Sequence, residues 1–188
     1  MLNYDEMLEL CESKKEFRAK EEYVDGVPVV IFSYMVSMKD TFDTDLSKEF
    51  RGTTFRADTK ECICRPLPKF FNLGEREETL IENVDLDRSN YFVKYDGSMA
   101  TPVLINNKTF WKTKNSFYSD VAKKIQSFWD FQVEDNVKKE LFKDIQNYNF
   151  TPIYEYVAPH NRIVLEYENE ELVYLGFRDI KTGEYFPC

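Results

Sequence analysis

The chain is poor in the residues that usually build metal and disulfide sites. It contains four cysteines, at positions 11, 62, 64 and 188, and one histidine, His160. No Cys-x-x-Cys pair occurs and His160 has no ligand-like neighbour in the sequence, so the pattern argues against a zinc site. Cys62 and Cys64 lie two apart in a β-like run and would point the same way. We interpret the cysteines as free thiols in a reducing compartment.

Long apolar runs are also missing. No stretch reaches the roughly 20 apolar residues that span a bilayer, and the N-terminus lacks a basic region followed by an apolar one. We therefore expect no membrane partner and a cytoplasmic location, in the host cell if the protein is viral. The net charge of -9 argues against a broad basic surface for nucleic acid, so any such contact should be local.

The composition, 43% apolar and 31% charged over 188 residues, is that of one globular domain. Apolar spacing predicts a helix over residues 4–17 and two more after Asn115-Ser116, which we expect to cap the first of them. The apolar stripes of those two helices are Phe117, Val121, Ile125 and Phe128, then Val137, Leu141, Phe142 and Ile145. We expect both helices to cover one face of a sheet.

Runs of β-branched and aromatic residues bounded by turn residues predict the strands. These runs cover residues 27–36, 50–55, 61–66, 91–94, 100–105, 109–113, 153–157, 163–167 and 172–177. The predicted turns lie at Asp25-Gly26, Asp96-Gly97, Asn106-Asn107 and Thr182-Gly183, and the acidic residues 74–87 are predicted as a loop or short helix. Because strands and helices do not alternate as βαβ units, we predict an α+β fold with largely antiparallel sheets and flanking helices, in one domain over residues 1–188.

The segment with the most chemical content is Lys94-Tyr95-Asp96-Gly97-Ser98, directly after the strand-like residues 91–93. A lysine amine placed there can attack the α-phosphate of a nucleoside triphosphate and form a covalent lysyl-nucleotide, provided that cations hold the phosphates. The alternative is structural. Asp-Gly between two apolar runs is first of all a hairpin signal, because both residues tolerate positive φ.

Other segments accompany this motif in a fixed order. They are Ile31-Phe32-Ser33-Tyr34, Phe50-Arg51-Gly52, the Lys69-Phe70-Phe71-Asn72 run, Lys112-Thr113-Lys114, and Glu155-Tyr156-Val157-Ala158-Pro159. Together with Lys-x-Asp-Gly-Ser, this ordered set resembles the type 1 RNA ligases of T-even phages, the ATP-dependent enzymes that repair cleaved tRNA. The resemblance spans nearly all of the chain, and it implies the nucleotidyltransferase fold that these ligases share with DNA ligases and capping enzymes.

The resemblance implies that Lys94 is the nucleophile in a reaction that uses ATP and magnesium. The residues that it implies for nucleotide binding are Tyr34, Arg51, Lys69, Phe71, Asp96, Gly97, Lys114, Glu155 and Leu175. Lys69 and Lys114 would clamp phosphates, and magnesium would neutralise charge on the leaving pyrophosphate. No metal-ligating residue is implied.

Arg51 and Glu155 each have a ligand role and a structural alternative. Arg51 would bind phosphate or ribose oxygens through its rigid fork, or it would be a surface arginine paired with Glu49. The Glu155 carboxylate would accept hydrogen bonds from ribose hydroxyls, or it would be an edge-strand carboxylate in water.

Three apolar or aromatic positions complete the implied nucleotide site. Tyr34 and Phe71 match aromatic positions near the nucleotide, and both suit core packing equally well. Leu175 matches the position we expect against the adenine. Alternation along its strand places Leu175 on one face with Val173 and Phe177.

The chain departs from the family pattern after the Thr-Gly-Glu-Tyr turn at residues 182–185. The Glu-Gly strand, the Lys-x-Lys strand and the C-terminal domain of the phage enzymes have no counterpart before Cys188, and Asn115 stands where glycine is usual. Three accounts fit: a split protein completed by another polypeptide, an experimental fragment, or a remnant that binds nucleotide or RNA ends without catalysis. The retained active-site residues favour the first two.

The expected function is therefore that of an ATP-dependent RNA ligase, or its N-terminal part, which joins RNA 3′-hydroxyl and 5′-phosphate ends, including those of tRNA. A DNA ligase or a capping guanylyltransferase is the alternative among enzymes, and it would differ in the triphosphate that labels the protein and in the polynucleotide end that accepts it. A non-catalytic binding module is the alternative of another class, and it would form no covalent adduct.

Overall fold

Two antiparallel sheets form the framework of the molecule, which the computed structural model describes over residues 2–85, 87 and 91–188. The first sheet contains, in spatial order, β1 (Phe17–Val24), β2 (Val27–Tyr34), β3 (Arg51–Arg56) and β4 (Cys62–Cys64). The second contains β6 (Lys108–Lys112), β5 (Ser98–Ile105), β7 (Phe150–Val157), β8 (Glu171–Asp179) and β9 (Tyr185–Pro187). The helices are α1 (Tyr4–Ser13), α2 (Asp45–Lys48), α3 (Asp120–Gln132) and α4 (Asp135–Tyr148), with short 3₁₀ turns at Glu77–Thr79, Ile81–Asn83 and Pro159–Asn161.

These elements stack in four layers, and each interface between layers has its own apolar core. Residues from β2 and β5, such as Ile31 and Val103, pack between the two sheets. Helix α1 covers the outer face of the first sheet through Met7. Helices α3 and α4 cover the outer face of the second sheet through Ile125 and Leu141. The α+β class, the antiparallel sheets and the helix-covered face are all as the sequence predicts.

A buried charge cluster joins the two sheets at one end. The Glu49 carboxylate receives Arg178 Nη1 and Nη2 and Arg65 Nη2, each at 2.7 Å. Arg65 also donates to the Ile180 carbonyl at 3.1 Å, and Arg178 to the Pro66 carbonyl at 2.7 Å. Burial raises the pKa of Glu49, but the hydrogen bonds from Arg178 and Arg65 outweigh that effect and hold the pKa below its ordinary value.

The two-residue turns at Asp25-Gly26 and Asn106-Asn107 are confirmed, and all four residues have positive φ, between 49° and 81°. This geometry suits type I′ hairpins, in which the turn twists with the strands. Residues 74–87 contain two 3₁₀ turns, although Leu86 lies outside the described residues.

The predicted start of the first long helix is wrong. Ser119, not Asn115-Ser116, caps α3, since its side chain accepts the N–H of Ala122 at 3.1 Å. The Ser116 hydroxyl and the Phe117 N–H instead donate to the buried carboxylate of Glu22. As a result, Phe117 packs between the sheets and is not part of the helix stripe.

Candidate active site

A cavity of about 890 Å³ opens between the start of β3 and the inner face of the second sheet, and the lysine motif forms part of its wall. Among the residues implied by the sequence, its lining includes Arg51, Lys94, Asp96, Gly97, Glu155 and Leu175. Lys94 is exposed, and residues 91–97 have no regular secondary structure, so the predicted strand over 91–94 is wrong. The amine therefore reaches the cavity from an irregular segment that runs into β5.

Gly97 determines where this segment enters the sheet. A Cβ atom at this position would lie 2.2 Å from the Tyr156 carbonyl oxygen and 3.0 Å from Val157 Cγ1, so a side chain has no room against β7. Strand β5 begins at the next residue, Ser98, which pairs with Tyr156. The Asp-Gly pair thus serves the close approach of two strands, and the predicted hairpin at Asp96-Gly97 is wrong.

Glu155 lies half-buried on β7, an inner strand, so its alternative as an edge-strand carboxylate in water is wrong. Its Oε1 accepts the N–H of Gly97 at 3.0 Å. Burial raises the pKa of Glu155, and the Gly97 N–H and the charges of Lys94 and Arg51 only partly offset this. An ionised carboxylate bound through one oxygen still offers acceptor positions to a ligand in the cavity.

Asp96 connects the lysine motif to the loop that follows β7 through hydrogen bonds. Its Oδ2 accepts the N–H groups of Val164 at 2.6 Å and Leu165 at 2.8 Å. Hydrogen bonds from Leu165 and Val164, assisted by the charge of Lys94, hold the pKa of Asp96 below its ordinary 3.8. The backbone N–H of Asp96 in turn donates to the Tyr167 hydroxyl at 2.9 Å. Residues 163–167 are therefore part of an irregular loop, and the predicted strand there is wrong.

Arg51 is a mostly buried cation at the start of β3. Its Nη1 donates to the Pro68 carbonyl at 3.0 Å, and its guanidinium carbon lies 4.8 Å from the centre of the Phe70 ring. Its buried Nε has no hydrogen-bond partner among the described residues. Burial lowers the pKa of Arg51, and nearby Tyr34 and Glu155 partly oppose this shift. The predicted alternative, a pair with Glu49, is wrong, because the Glu49 carboxylate binds Arg65 and Arg178.

The glycine after Arg51 brings two lysines close to it. Gly52 has φ +101°, and a Cβ atom there would lie 2.8 Å from the Lys114 carbonyl oxygen, so glycine is required at this approach. The fully buried Lys112 donates from Nζ to the Gly52 carbonyl at 2.8 Å. The Lys114 Nζ lies 3.9 Å from the centre of the Tyr34 ring. Burial, followed by repulsion from Arg51, lowers the pKa of Lys114.

Lys69 and Phe71 belong to a cluster of cations and aromatic rings beside the cavity. Lys69 Nζ and Arg76 Cζ each lie 4.7 Å from the centre of the Phe71 ring. Phe71 and Tyr34 both pack edge-on against Phe42, at 6.2 Å and 5.0 Å. Both rings also pack against the outer core of the first sheet, so they have the structural role that the sequence allowed. Lys69 Nζ also lies 4.0 Å from Glu75 and Arg76 Nη1 lies 3.8 Å from Asp43, so acidic side chains partly balance the cations on these rings.

Leu175 lies at a β-bulge in β8. Tyr154 pairs with Tyr174 and Ile153 with Gly176, so Leu175 is the extra residue between them. The bulge reverses the alternation that the sequence predicts, and Phe177 stacks against Phe150 and Phe186 on the other face of the sheet. Leu175 still lines the cavity, where Met99 and Val173 provide further apolar surface.

The structure thus divides the implied residues into two neighbouring groups. One group lines the cavity with Lys94. The other lies outside its lining and comprises Tyr34, Lys69, Phe71 and Lys114, of which Tyr34 and Lys114 lie near Arg51. Sequence reasoning missed Arg76 and the buried role of Lys112. Arg76 was detectable as a cation within an acidic run, and Lys112 as the residue two before Lys114 in a strand.

The described part of the chain contains no group of three or more His, Cys, Asp or Glu side chains that could hold a metal ion. None of its helices has the length and apolar character needed to cross a membrane.

Comparison with known proteins points to one family. A family model described as RNA ligase matches residues 49–187. The chain is 31% identical over 187 residues to a protein of Thermovibrio ammonificans named "Putative RNA ligase", covering 98% of this chain and 47% of that protein. It is 22% identical over 188 residues to "RNA ligase 1" of bacteriophage TS2126, covering 96% of this chain and 46% of that protein.

A third relative comes from Autographa californica nuclear polyhedrosis virus and is named "Putative bifunctional polynucleotide kinase/RNA ligase". It is 25% identical over 199 residues, covering 95% of this chain and 28% of that protein. The chain therefore spans about half the length, or less, of the curated relatives it matches.

Proposed function

The chain belongs to the RNA ligase family whose model matches residues 49–187, and from that premise we propose that it is the adenylyltransferase part of an ATP-dependent RNA ligase. The observation that carries the proposal is the joint position of Lys94, Arg51 and Glu155 in one cavity of about 890 Å³. A nucleophile, an anion-binding group and a hydroxyl acceptor are the groups that a nucleotidyl transfer needs.

In the first step, Lys94 Nζ attacks the α-phosphorus of ATP. A nitrogen–phosphorus bond forms, the bond between the α-phosphorus and the oxygen shared with the β-phosphate breaks, and pyrophosphate leaves, while the ammonium group loses two of its three protons to solvent. Arg51, a buried cation with an unpartnered Nε, supplies charge where negative charge accumulates on phosphate. Lys69 and Lys114, held on their aromatic rings, extend this positive region toward the outer phosphates.

The nucleoside would lie on the apolar side of the cavity. Leu175 and Val173 offer surface for the adenine, and the free acceptor positions of Glu155 face the ribose. The Gly97 N–H fixes Glu155 next to the lysine motif, so ribose binding and attack by Lys94 share one rigid support.

Two further steps complete the ligase reaction. A 5′-phosphate oxygen of RNA attacks the lysine-bound phosphorus, which releases Lys94 and gives an RNA capped by AMP. A 3′-hydroxyl then attacks the RNA 5′-phosphate, and AMP leaves. We propose broken RNA, including tRNA, as the substrate.

Magnesium would enter the cavity bound to the phosphates of ATP. The described residues provide no cluster of carboxylates for it, and the Asp96 carboxylate already accepts two backbone N–H groups.

A mass measurement tests the proposal. After incubation with magnesium and ATP, the chain should gain one AMP, and peptide mapping should place it on Lys94. Lys94→Ala and Lys94→Arg should abolish the adduct, whereas Lys124→Ala, on the exposed side of α3, should retain it. An adduct in either Lys94 variant would refute the assignment, and labelling by GTP instead of ATP would indicate a capping enzyme.

We also propose that sealing needs residues that the longer relatives carry outside the segment matched here, on the same polypeptide or on a second one. Phe92 and Val93, next to the nucleophile, are 60% and 73% exposed although their sequence favours a strand, so an added strand could pair there. A gel assay should show little joining of 5′-phosphorylated RNA to a 3′-hydroxyl acceptor by this chain alone, and more when the complementing half is added. Efficient multiple-turnover joining by the chain alone would contradict this.

A further inference from the structure

A second groove, of about 690 Å³, lies between α3, α4 and the start of β6. It is on the helix-covered face of the second sheet, whereas the Lys94 cavity is on the inner face. Four lysines line it, Lys108, Lys138, Lys139 and Lys143, together with a single acidic residue, Asp130. The groove therefore carries an excess of positive charge on a chain whose net charge is -9.

The excess arises because the basic and acidic residues of helix α4 lie on different sides of the helix. Lys139 and Lys143 are one turn apart and share one side of the helix. Glu140 and Asp144 each follow one residue later, about 100° further round, and neither lines the groove. A third side of the helix, with Leu141 and Ile145, packs on the sheet.

Some of the lysines already have partners and others do not. Lys108 Nζ lies 3.1 Å from Asp25, and Lys138 Nζ lies 3.6 Å from Asp135 and 2.9 Å from the Asp130 carbonyl. Within the described residues, Lys139 and Lys143 form no ion pair. Both are exposed, so their amines are available to an external anion.

The groove offers side-chain amides from Gln126, Gln146 and Asn107. Three aromatic rings also line it: Trp129 is only 5% exposed, and Phe110 and Phe142 are half-buried. Base stacking needs an open aromatic face, so the exposed lysines and amides of this lining suit phosphates and sugars more than stacked bases.

We propose that this groove binds the backbone phosphates of the RNA substrate at a distance from the reacting ends. The inference rests on the proposed ligase function and adds a second contact to it. The lysine motif and the groove lie at opposite ends of β5, which spans Ser98–Ile105 and so separates them by roughly 25 Å. At the roughly 3.4 Å per phosphate of a stacked strand, RNA needs about seven nucleotides to reach both sites, and an RNA of about two nucleotides is too short to reach both even when it is extended.

The test measures RNA binding by fluorescence anisotropy with 5′-phosphorylated RNAs of about 24 and about 2 nucleotides. The variant is Lys139→Glu/Lys143→Glu, and the control with the same change of charge is Lys15→Glu/Lys39→Glu, two exposed lysines outside the groove. For the long RNA, the slope of log affinity against log salt should decrease by about 1.4 in the groove variant, because each lost single-strand phosphate contact contributes about 0.7. Binding of the short RNA should remain as in the wild type.

The AMP adduct on Lys94 is measured on the same preparations. It should form normally in the groove variant, because ATP does not contact the groove, so loss of RNA binding with a normal adduct separates this inference from the proposed function. Unchanged binding of long RNA by the groove variant, or an equal loss in the control, would overturn the inference. Capture of an acidic polypeptide with RNA binding intact would assign the groove to a protein partner and would also overturn it.

Discussion

Glu49 and Arg51 are two residues apart and both carry buried charge, yet we predict a large loss of stability when the charge of Glu49 is removed and only a small change when that of Arg51 is removed. Glu49→Gln should destabilise the fold severely. Glu49, Arg65 and Arg178 are 6%, 8% and 5% exposed, so the amide would leave two desolvated guanidinium groups without a counter-charge. Breaking a buried ion pair in this way costs about 3–5 kcal/mol, a large part of the 5–15 kcal/mol typical of a domain.

Arg51→Met should change stability by only about 1 kcal/mol. The variant loses one hydrogen bond and a contact with Phe70, together worth about 1–2 kcal/mol, but it also removes the cost of burying the Arg51 guanidinium. The lowered pKa of Arg51 agrees with this cost, since burial disfavours its charged form in the folded state. The same variant should lose most of its AMP adduct, because the cavity loses its buried cation.

Urea unfolding followed by circular dichroism, with the adduct measured per folded molecule, checks both variants. The difference in the free energy of unfolding between the wild type and Glu49→Gln should have its full value at neutral pH. It should disappear as the pH falls from the ordinary carboxyl pKa of 4.5 through the lower folded value, because the wild-type carboxylate is then protonated too. If Glu49→Gln unfolds within 1 kcal/mol of the wild type, or if Arg51→Met unfolds as readily as Glu49→Gln, the division into a structural and a ligand-binding charge is wrong.

Two further predictions concern the lysine motif. Gly97→Ala should lower the free energy of unfolding by about 1–3 kcal/mol and reduce the AMP adduct, because its Cβ atom would lie 2.2 Å from the Tyr156 carbonyl oxygen. Gly26→Ala, where the new Cβ atom has nothing within 4 Å, should leave the adduct unchanged. Calorimetry measures the stability and mass spectrometry the adduct, and a normal adduct in Gly97→Ala would contradict the reasoning. Glu155→Gln should weaken ATP binding but melt at a higher temperature than the wild type at neutral pH, since the raised pKa of Glu155 means that its charge opposes folding. This gain in melting temperature should vanish as the pH falls through the raised pKa toward the ordinary 4.5, and a difference that does not depend on pH would count against the prediction.

The sequence predicted the class of the fold and several of the residues that line the candidate cavity. The α+β class followed from the order of strand-like and helix-like runs, and the hairpins at Asp25-Gly26 and Asn106-Asn107 followed from residues that tolerate positive φ. The ordered motifs identified Lys94 as the candidate nucleophile and indicated an RNA ligase. All of these features depend on residue types and spacings within short segments, which are read directly from the chain.

Sequence reasoning failed where a short segment has more than one possible neighbour. Residues 91–94 and 163–167 have strand-like compositions, but neither pairs with another strand; the Asp96 carboxylate instead holds the second segment through its backbone. Alternation placed Phe177 with Leu175, and the bulge at Leu175 reversed it. Propensity describes how well a segment suits a strand, but a strand exists only when another one supplies hydrogen bonds.

The amino-acid sequence by itself determined that the chain belongs with the RNA ligases, through a lysine, an arginine and a glutamate in a recognisable order. Only the tertiary structure decided which buried charges support the fold and which face the cavity. Glu49 binds Arg178, 129 residues further along the chain, and among the described residues the nearby Arg51 forms no ion pair with a carboxylate. The physical reason is that the free energy of a buried charge depends on the groups within a few ångströms of it, and folding brings those groups from distant parts of the chain.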